Sequence, residues 1–162
     1  KNFHVDLKKG ILNVQCAVEF IDNSPFIKEP KSHNGFRQVP MPTFLTEFLQ
    51  EYIPTLDGPY LIHMKDGSLM TKSSYDKMWL RIKKKMNHAA GGTDKLQVIY
   101  GISAHTFRHN YCTNLCYQVP SISIKKIAKL MGDTEEVVLK VYNHVQEERE
   151  NVEKVVNQAI AL

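Results

Sequence analysis

Between residues 10 and 40, the apolar positions follow the patterns of β-strands. The segment ILNVQCAVEF is rich in β-branched and aromatic residues, which is typical of a strand. The segment FIKEPKSHNGFRQVPMP has short apolar ends on either side of KSHNG, and its Asn34-Gly35 pair favours a tight hairpin turn. Pro40 and Pro42 end the returning strand, because proline donates no hydrogen bond to a ladder. We therefore predict a small antiparallel β-sheet within residues 10–40.

From Thr43 onward the apolar residues recur at helical spacing. The first such segment predicts a helix that Thr43 caps and that ends at Pro54. The sequence LDGPYLIHMKDGSLM then predicts a turn, a short strand and a second turn. In TKSSYDKMWLRIKKKMNHA, an apolar stripe lies opposite a row of lysines, which predicts a long amphipathic helix with a basic outer face.

The last third of the chain is predicted to be helical throughout. A helix that carries AHTFRHNYCTNLC ends before Pro120, a second begins near Ser121 and stops at Gly132, and a short third helix is capped by Thr134. The tail EERENVEKVVNQAIAL has one apolar face, which needs a groove on its own chain or on another. The predicted fold class is therefore α+β, mainly α-helical, with the small antiparallel sheet near the N-terminus.

Composition places the chain among folded soluble proteins. Its 162 residues are 43% hydrophobic and 23% charged, and this length suits one domain. The net charge of +4 is compatible with nucleic acid but does not require it, and basic residues gather in RIKKK, where Lys83, Lys84 and Lys85 lie together. Three cysteines cannot all pair, and no signal peptide or membrane-spanning run appears, so we expect a cytoplasmic protein with reduced thiols and no membrane association.

The segment HTFRHNYCTNL concentrates ionisable side chains on a predicted helix. His105, Arg108 and His109 lie on neighbouring faces. The histidines have the spacing of a metal-binding pair, but Thr106 stands where a zinc-protease motif needs glutamate, and the cationic Arg108 would repel a metal ion. We therefore expect no metal. An arginine and a histidine one turn apart suit an oxyanion instead, since the guanidinium can bind two phosphate oxygens.

The same helix is predicted to have an apolar side. Phe107, Tyr111 and Leu115 recur at i, i+4 and i+8, so they share one face of the helix. We expect this face to pack into the core.

Four features in order resemble the catalytic domain of the tyrosine recombinases, the phage-integrase family of site-specific DNA strand exchangers. These are the FHVDLKKGILNV segment, the lysine-bearing KEPKSHNGFRQVPMP hairpin, His105-x-x-Arg108, and LMGD followed nine residues after Asp133 by Tyr142. The resemblance covers nearly the whole chain. Each piece is a weak signal alone, but four at suitable spacing are specific.

The resemblance implies a role for each of these residues. Tyr142 matches the nucleophile that attacks a DNA phosphodiester and forms a 3′-phosphotyrosyl link, so that strands are cleaved and rejoined without a cofactor. Arg108 matches an arginine that binds the non-bridging oxygens, and His105 matches the motif histidine that accepts a proton or donates a hydrogen bond. Lys31 is our candidate for the hairpin lysine that acts as general acid, and Lys28 is the alternative, because the hairpin length varies.

Asp133 departs from the family pattern, which usually has histidine or tryptophan at this position. An ionised aspartate cannot donate a hydrogen bond to phosphate. Three explanations remain open: Asp133 is protonated, it orients Arg108 or a water, or His109 or His144 takes over the lost role.

The resemblance also implies what lies outside the sequence. The first catalytic arginine of the family and its core-binding domain fall upstream of Lys1, so residues 1–162 are interpreted as a fragment, a single catalytic domain. We expect this fragment alone to bind DNA weakly and not to cut it.

The expected partners are double-stranded DNA attachment sites and further copies of the chain in a tetrameric synapse. The residues expected to contact DNA are Lys83, Lys84, Lys85, His109 and His144. A bacterial mobile element, with the protein in the cytoplasm at the nucleoid, is the expected setting.

An alternative hypothesis is a helix-turn-helix regulator without catalysis. The segment SIKKIAKLMGDTEEVVLKVY has Gly132 at the turn between two helices. Its recognition helix would then lead into the groove with Glu135 and Glu136, which DNA phosphates repel. This alternative also leaves the spacing of the HTFRH motif and Tyr142 unexplained.

Overall fold

The structure is a computed structural model that describes residues 4–149 and residue 156. The chain divides between Thr106 and Phe107 into two compact units. The strands are β1 (Val5–Asp6), β2 (Ile11–Val14), β3 (Ala17–Ile21), β4 (Ser24–Lys28) and β5 (Arg37–Pro40). The helices are α1 (Thr43–Tyr52), α2 (Lys72–Ala89), α3 (Ala104–Cys116), α4 (Ile124–Met131) and α5 (Glu135–Arg149). The predicted class, mainly α-helical with small antiparallel sheets near the N-terminus, is confirmed.

The strands form two antiparallel sheets rather than one. The first has the order β1-β2-β5, and β2 pairs with β5 from Ile11 opposite Pro40 to Val14 opposite Arg37. The second is a separate hairpin of β3 and β4. The strands predicted within residues 10–40 therefore exist, but their partners differ from those that the local sequence favours.

The predicted hairpin turn at Asn34-Gly35 is wrong. The β3–β4 hairpin turns instead at Asp22 and Asn23, where Asp22 has a φ of 54°, a conformation that aspartate tolerates better than most residues. Residues His33–Gly35 form a 3-10 turn. A hairpin about Asn34-Gly35 would pair residues 29–32 with β5, but Pro30 offers no N–H and β5 already pairs with β2.

The tip of this hairpin is fastened to the start of α2. The backbone oxygen of Asn23 accepts from the N–H of Lys72 at 3.1 Å, and its side-chain Oδ1 accepts from the N–H of Ser73 at 2.9 Å. The N-cap residue Thr71 accepts from the N–H of Ser74 at 3.3 Å. Three N–H groups that have no partner within the helix are thus satisfied, two of them by the hairpin.

The first helix and the segment after it differ from prediction. Thr43 is the first residue of α1 and not its cap; Pro42 is the N-cap and its carbonyl accepts the first hydrogen bonds. The helix ends at Tyr52, and Pro54 lies in a following 3-10 turn. The strand predicted in LIHMKDGS is reduced to one bridge between His63 and Leu69.

The predicted long amphipathic helix is confirmed as α2, and Asn87 near its end fastens the following loop. Its Nδ2 donates to the carbonyls of Thr93 at 3.1 Å and Leu96 at 2.9 Å. Its Oδ1 accepts from the N–H groups of Val98 at 2.7 Å and Ile99 at 3.3 Å. The side chain is buried and all its hydrogen-bonding capacity is used, so it replaces secondary structure as the support of this loop.

The core of the second unit lies among α3, α4 and α5. Its buried residues are Cys112, Cys116, Ile127, Ala128, Met131, Val138 and Val145. The prediction that Phe107 and Tyr111 face the core is wrong, since their side chains are 43% and 39% exposed. The neighbouring face with the two cysteines is buried instead, and free cysteine is among the most buried residue types.

The predicted caps of the last two helices are largely confirmed. Helix α4 begins at Ile124, three residues after the predicted start at Ser121, and Ser123 is its N-cap. Gly132 ends it in the left-handed conformation, and Thr134 Oγ1 accepts from the N–H of Val137 at 3.4 Å at the start of α5. Helix α5 is longer than predicted. Most of the apolar tail face lies outside the described residues.

Within residues 4–149, the helices include none that is both long and apolar enough to cross a bilayer.

We predict that Asn87→Ala lowers the free energy of unfolding by roughly 2–4 kcal/mol, because it leaves several partly buried backbone groups without partners. Urea denaturation measures the loss, and amide hydrogen exchange at Val98 and Ile99 should accelerate. Lys85→Ala, an exposed substitution on the same helix, is the control. Equal stability and equal exchange in the two variants would contradict the role of Asn87.

Candidate functional site

The start of α3 is fixed by a capping box between Ser103 and Thr106. Ser103 Oγ accepts from the N–H of Thr106, and the N–H of Ser103 donates to Thr106 Oγ1, each at 3.2 Å. Thr106 Oγ1 also donates to the carbonyl of Gly101 at 2.9 Å. His105 is the second residue of this helix and its side chain is exposed. The imidazole is therefore presented to solvent from a helix start whose backbone is well supported.

Arg108 and Asp133 form an ion pair between α3 and the start of α5. Arg108 Nη2 donates to Asp133 Oδ2 at 3.0 Å, while Asp133 Oδ1 accepts from the N–H of Thr134 at 3.1 Å. Asp133 follows Gly132, whose φ of 67° ends α4. The two carboxylate oxygens thus bind different donors, and the guanidinium is held beside the first turn of α5.

This ion pair is weak enough to yield to a stronger anion. The side chains of Arg108 and Asp133 are 36% and 35% exposed, and pairs that water reaches contribute only about 0.2–1 kcal/mol. Within the described residues, the bond to Asp133 is the one hydrogen bond of the guanidinium. Because a guanidinium has several N–H donors, the others can bind an oxyanion.

Tyr142 lies on α5 and is held by packing. Its half-buried ring contacts the apolar core of the second unit. Its hydroxyl has no hydrogen-bond partner in the part of the chain that the structure describes. A fixed ring with an uncommitted hydroxyl suits a nucleophile, because no bond has to break before attack. Arg108, Asp133 and Tyr142 all belong to the same compact unit.

The other reactive groups of α3 are less suited to attack. Partial burial of the ring raises the pKa of Tyr111 above its ordinary value. Burial also raises the pKa of the Cys112 thiol, and it raises the pKa of Cys116 to about 11. Both thiols therefore stay protonated near pH 7, and the thiolate is the nucleophilic form of cysteine.

The two candidate lysines near β4 differ in their environment. Lys28 forms an ion pair with Glu19 across the β3–β4 hairpin. The hydrogen bond from Lys28 is the main reason that the pKa of Glu19 is lowered, and the nearby charge of Lys31 contributes a smaller part. Lys31 is exposed on the loop after β4. The ammonium of Lys28 is thus bound to a carboxylate, whereas Lys31 forms no ion pair of this kind within residues 4–149.

The exposed lysines of α2 also differ from one another. Lys84 Nζ pairs with Asp94 Oδ2 at 2.8 Å, and the hydrogen bond from Lys84 is the main cause of the lowered pKa of Asp94. Lys83 and Lys85 have no ion pair among the described residues. Lys83 lines a cleft of about 640 Å³ that also contains Trp79 and His105. The structure therefore brings Lys83 and His105, both proposed from sequence, to one cleft.

The remaining predicted residues, His109 and His144, are exposed on α3 and α5. The described residues contain no group of three histidine, cysteine, aspartate or glutamate side chains placed to hold a metal ion.

The sequence analysis missed Glu19 as the partner of Lys28. Strand alternation places both side chains on one face of the hairpin, but only when the turn is set at Asp22-Asn23. The misplaced turn therefore hid this ion pair. The sequence also gave no indication of the role of Asn87, because all its hydrogen-bond partners are backbone groups, which every residue has.

Comparisons with known proteins identify the family and the fold. Residues 3–149 match the model of the phage integrase family. A variant of the Tn1549 transposon integrase, solved in complex with a circular intermediate DNA, has a TM-score of 0.68 and 22% identity over 91% of this chain and 51% of that one. Another variant, solved with transposon right end DNA, has a TM-score of 0.69 and 21% identity over 90% of this chain and 50% of that one.

At this level of identity, the structural likeness shows the fold alone, and the chain spans about half the length of those integrase chains. Among curated proteins, none matches the chain. The family model covers far more than half of the sequence, and it confirms the resemblance found in the motifs. The chain therefore belongs to the phage integrase family, the tyrosine recombinases.

Proposed function

We propose that the chain is the catalytic part of a site-specific DNA recombinase that cleaves and rejoins strands through a 3′-phosphotyrosyl intermediate. The observation that carries the proposal is the Arg108–Asp133 ion pair at the start of α5, the helix on which Tyr142 lies. A phosphate-binding cation and a hydroxyl nucleophile are thereby attached to one packed set of helices.

In the proposed reaction, Tyr142 Oη attacks the scissile phosphorus. The new bond is between Oη and phosphorus, and the bond from phosphorus to the 5′-oxygen breaks. His105 accepts the phenolic proton, and Lys31 gives a proton to the leaving 5′-oxygen. Arg108 stabilises the extra negative charge on the five-coordinate phosphorus. One ester replaces another, so little free energy is lost and rejoining needs no cofactor.

We assign Asp133 a positioning role through Arg108. Of the explanations left open by the sequence, this one is supported by the 3.0 Å hydrogen bond to Arg108 Nη2 and by the second bond to the N–H of Thr134. A scissile phosphate then competes with a pair worth at most about 1 kcal/mol, so the carboxylate orients the guanidinium without blocking it.

We assign the general-acid role to Lys31 rather than Lys28. The ion pair of Lys28 with Glu19 supports this choice, because an ammonium bound to a carboxylate must leave its partner before it can serve the 5′-oxygen. In the part of the chain that the structure describes, Lys31 has a longer-range electrostatic interaction with Glu19 but no ion pair to release.

The proposed partner is double-stranded DNA at attachment sites. The Tn1549 integrase structures contain circular intermediate DNA or transposon right end DNA, and on this chain Lys83 lines the cleft of His105. Lys85 offers further positive charge on the same helix, and neither lysine has an ion pair among the described residues. Lys84, His109 and His144 remain proposed DNA contacts. A bacterial mobile element, acting in the cytoplasm at the nucleoid, is the proposed setting.

We also propose a tetrameric synapse. Mass photometry of the full-length protein on attachment-site DNA tests this proposal, and a complex with the mass of four protomers is expected at saturation. Complexes that never exceed one protomer at saturation would exclude the tetramer.

The helix-turn-helix alternative is less consistent with the geometry. Its recognition helix would be α5, whose first turn carries Glu135 and Glu136 with exposed side chains. Two carboxylates at the leading end oppose entry into a groove lined by phosphates.

We predict that Tyr142→Phe abolishes the covalent adduct between the full-length protein and a suicide DNA substrate, since phenylalanine has no hydroxyl to form the ester. Denaturing gel electrophoresis of the mixture measures the adduct. Tyr111→Phe, a matched loss of a hydroxyl on α3, should leave it in place. An adduct that persists in Tyr142→Phe would show that the nucleophile is another residue.

We predict that Asp133→Ala slows single-turnover cleavage by the full-length protein about 3- to 10-fold, because Arg108 loses its anchor. Asp133→Asn should lose less than the alanine variant, since its one amide oxygen can still accept from the guanidinium, although the bond to the N–H of Thr134 is then given up. Quenched-flow cleavage assays measure both variants. If the alanine variant is as fast as the asparagine variant, Asp133 does not position Arg108.

A further inference from the structure

The loop that carries Lys31 is packed so closely at Gly35 that no side chain would fit there. Loop residues 29–36 join β4 to β5, and within this loop Gly35 approaches Pro30, the residue directly before Lys31. A Cβ added at Gly35 would lie 2.4 Å from Pro30 Cβ and 3.6 Å from its Cα. Real Cβ atoms do not approach this closely, and a proline ring cannot rotate away. Glycine is therefore required at this position by space and not by backbone conformation.

Gly35 is itself fixed by hydrogen bonds on both sides. Its N–H donates to the carbonyl of Ser32 at 2.9 Å, and its carbonyl accepts from Arg37 Nη1 at 2.9 Å. Arg37 belongs to β5, whose ladder with β2 runs through Val14 opposite Arg37. The surface on which Pro30 rests is thus tied to the three-stranded sheet.

The far side of the loop is supported as well. Residue 28 ends β4, which pairs with β3 along its whole length, and the hairpin tip is bound to α2 through Asn23. Lys31 therefore lies only three residues from a paired strand, and the residue just before it is pressed against a fixed glycine.

These contacts matter because a general acid must be close to the leaving oxygen when the bond breaks. A lysine on an unsupported loop loses rate through the entropy of ordering its backbone, and a displacement of 1 Å can cost about 100-fold. Resting on the proposed role of Lys31, we infer that Gly35 is a positioning residue that acts through Pro30 to hold the Lys31 ammonium at the leaving 5′-oxygen. Gly35 thus serves the site instead of forming a hairpin turn with Asn34.

The test uses the full-length recombinase and two DNA substrates that differ in one atom. One substrate has the natural bridging 5′-oxygen at the scissile phosphate, and the other has sulfur there. A thiol has a pKa of about 8.5, so a thiolate leaves without being protonated, whereas an alkoxide does not. The sulfur substrate therefore bypasses the general acid and leaves every other contact in place.

Gly35→Ala should slow cleavage of the oxygen substrate about 10- to 100-fold and should cleave the sulfur substrate within about threefold of the wild-type rate. Lys31→Ala is the reference variant: it should cleave the oxygen substrate slowly and the sulfur substrate at close to the wild-type rate. Ser32→Ala, in the same loop and without a side-chain capping bond, should behave as wild type on both substrates.

Pro30→Gly keeps the test valid if Gly35→Ala does not fold, because it introduces no clash. This variant should also cleave the oxygen substrate slowly and the sulfur substrate at close to the wild-type rate. Adding Gly35→Ala to Pro30→Gly should slow cleavage little further, since the proline ring atoms that the new Cβ would meet are gone.

The outcomes separate the two claims. If sulfur fails to restore Lys31→Ala, Lys31 is not the general acid and the proposed function is wrong in that part. The positioning role of Gly35 is overturned by either of two results. In the first, the sulfur substrate restores cleavage by Lys31→Ala but not by Gly35→Ala or Pro30→Gly. In the second, Gly35→Ala and Pro30→Gly cleave the oxygen substrate at the wild-type rate.

Discussion

The ion pair between Arg108 and Asp133 is the interaction on which the proposed chemistry depends. It joins α3 to the turn between α4 and α5 and lies in the same compact unit as Tyr142. Its own energy is small, because about a third of each side chain is exposed. The geometry must therefore come from the helices that present the two residues.

Those helices are held by the apolar core of the second unit. Ile127, Val138 and Val145 are almost fully buried there, and each such side chain contributes on the order of 1.5–3 kcal/mol, more than the ion pair. Gly132 then ends α4 in the left-handed conformation, so that Asp133 follows directly. A strong core that places a weak, partly exposed ion pair suits a site whose guanidinium must also bind a phosphate.

The first unit holds two of its loops differently, with close contacts to glycine. Asn87 supports the segment before α3, and a Cβ at Gly92 would lie 2.4 Å from Asn87 Nδ2. Pro30 rests on Gly35 in the same manner beside Lys31. In both places the missing side chain allows a loop to be fixed where no strand or helix is available.

The sequence predicted the parts of the fold that local patterns encode. Gly132 as a helix stop, Thr134 as a cap and the long basic helix were readable, because capping and amphipathic spacing are local. The hairpin turn was misplaced because strand pairing is decided by distant partners, here β2 for β5. The burial of Cys112 in place of Tyr111 likewise depends on how α3 packs, which helical spacing alone does not determine.

For the site, the motif spacing indicated the family and pointed to Arg108 and Tyr142, but it did not predict the hydrogen-bond partner of Arg108. That Asp133 binds the guanidinium follows from the turn after α4, and it was one of several explanations that the sequence left open. The environment of Lys31 depends equally on a contact between residues five apart in an irregular loop, for which no sequence pattern exists.

The most direct measurement is a structure of the full-length Tyr142→Phe protein bound to its attachment-site DNA. We expect Arg108 to lie within about 2.7–3.2 Å of a non-bridging oxygen of the phosphate that faces ring 142, while it keeps or exchanges its bond to Asp133. A guanidinium that stays bound to Asp133 and turned away from every phosphate would contradict the proposed chemistry.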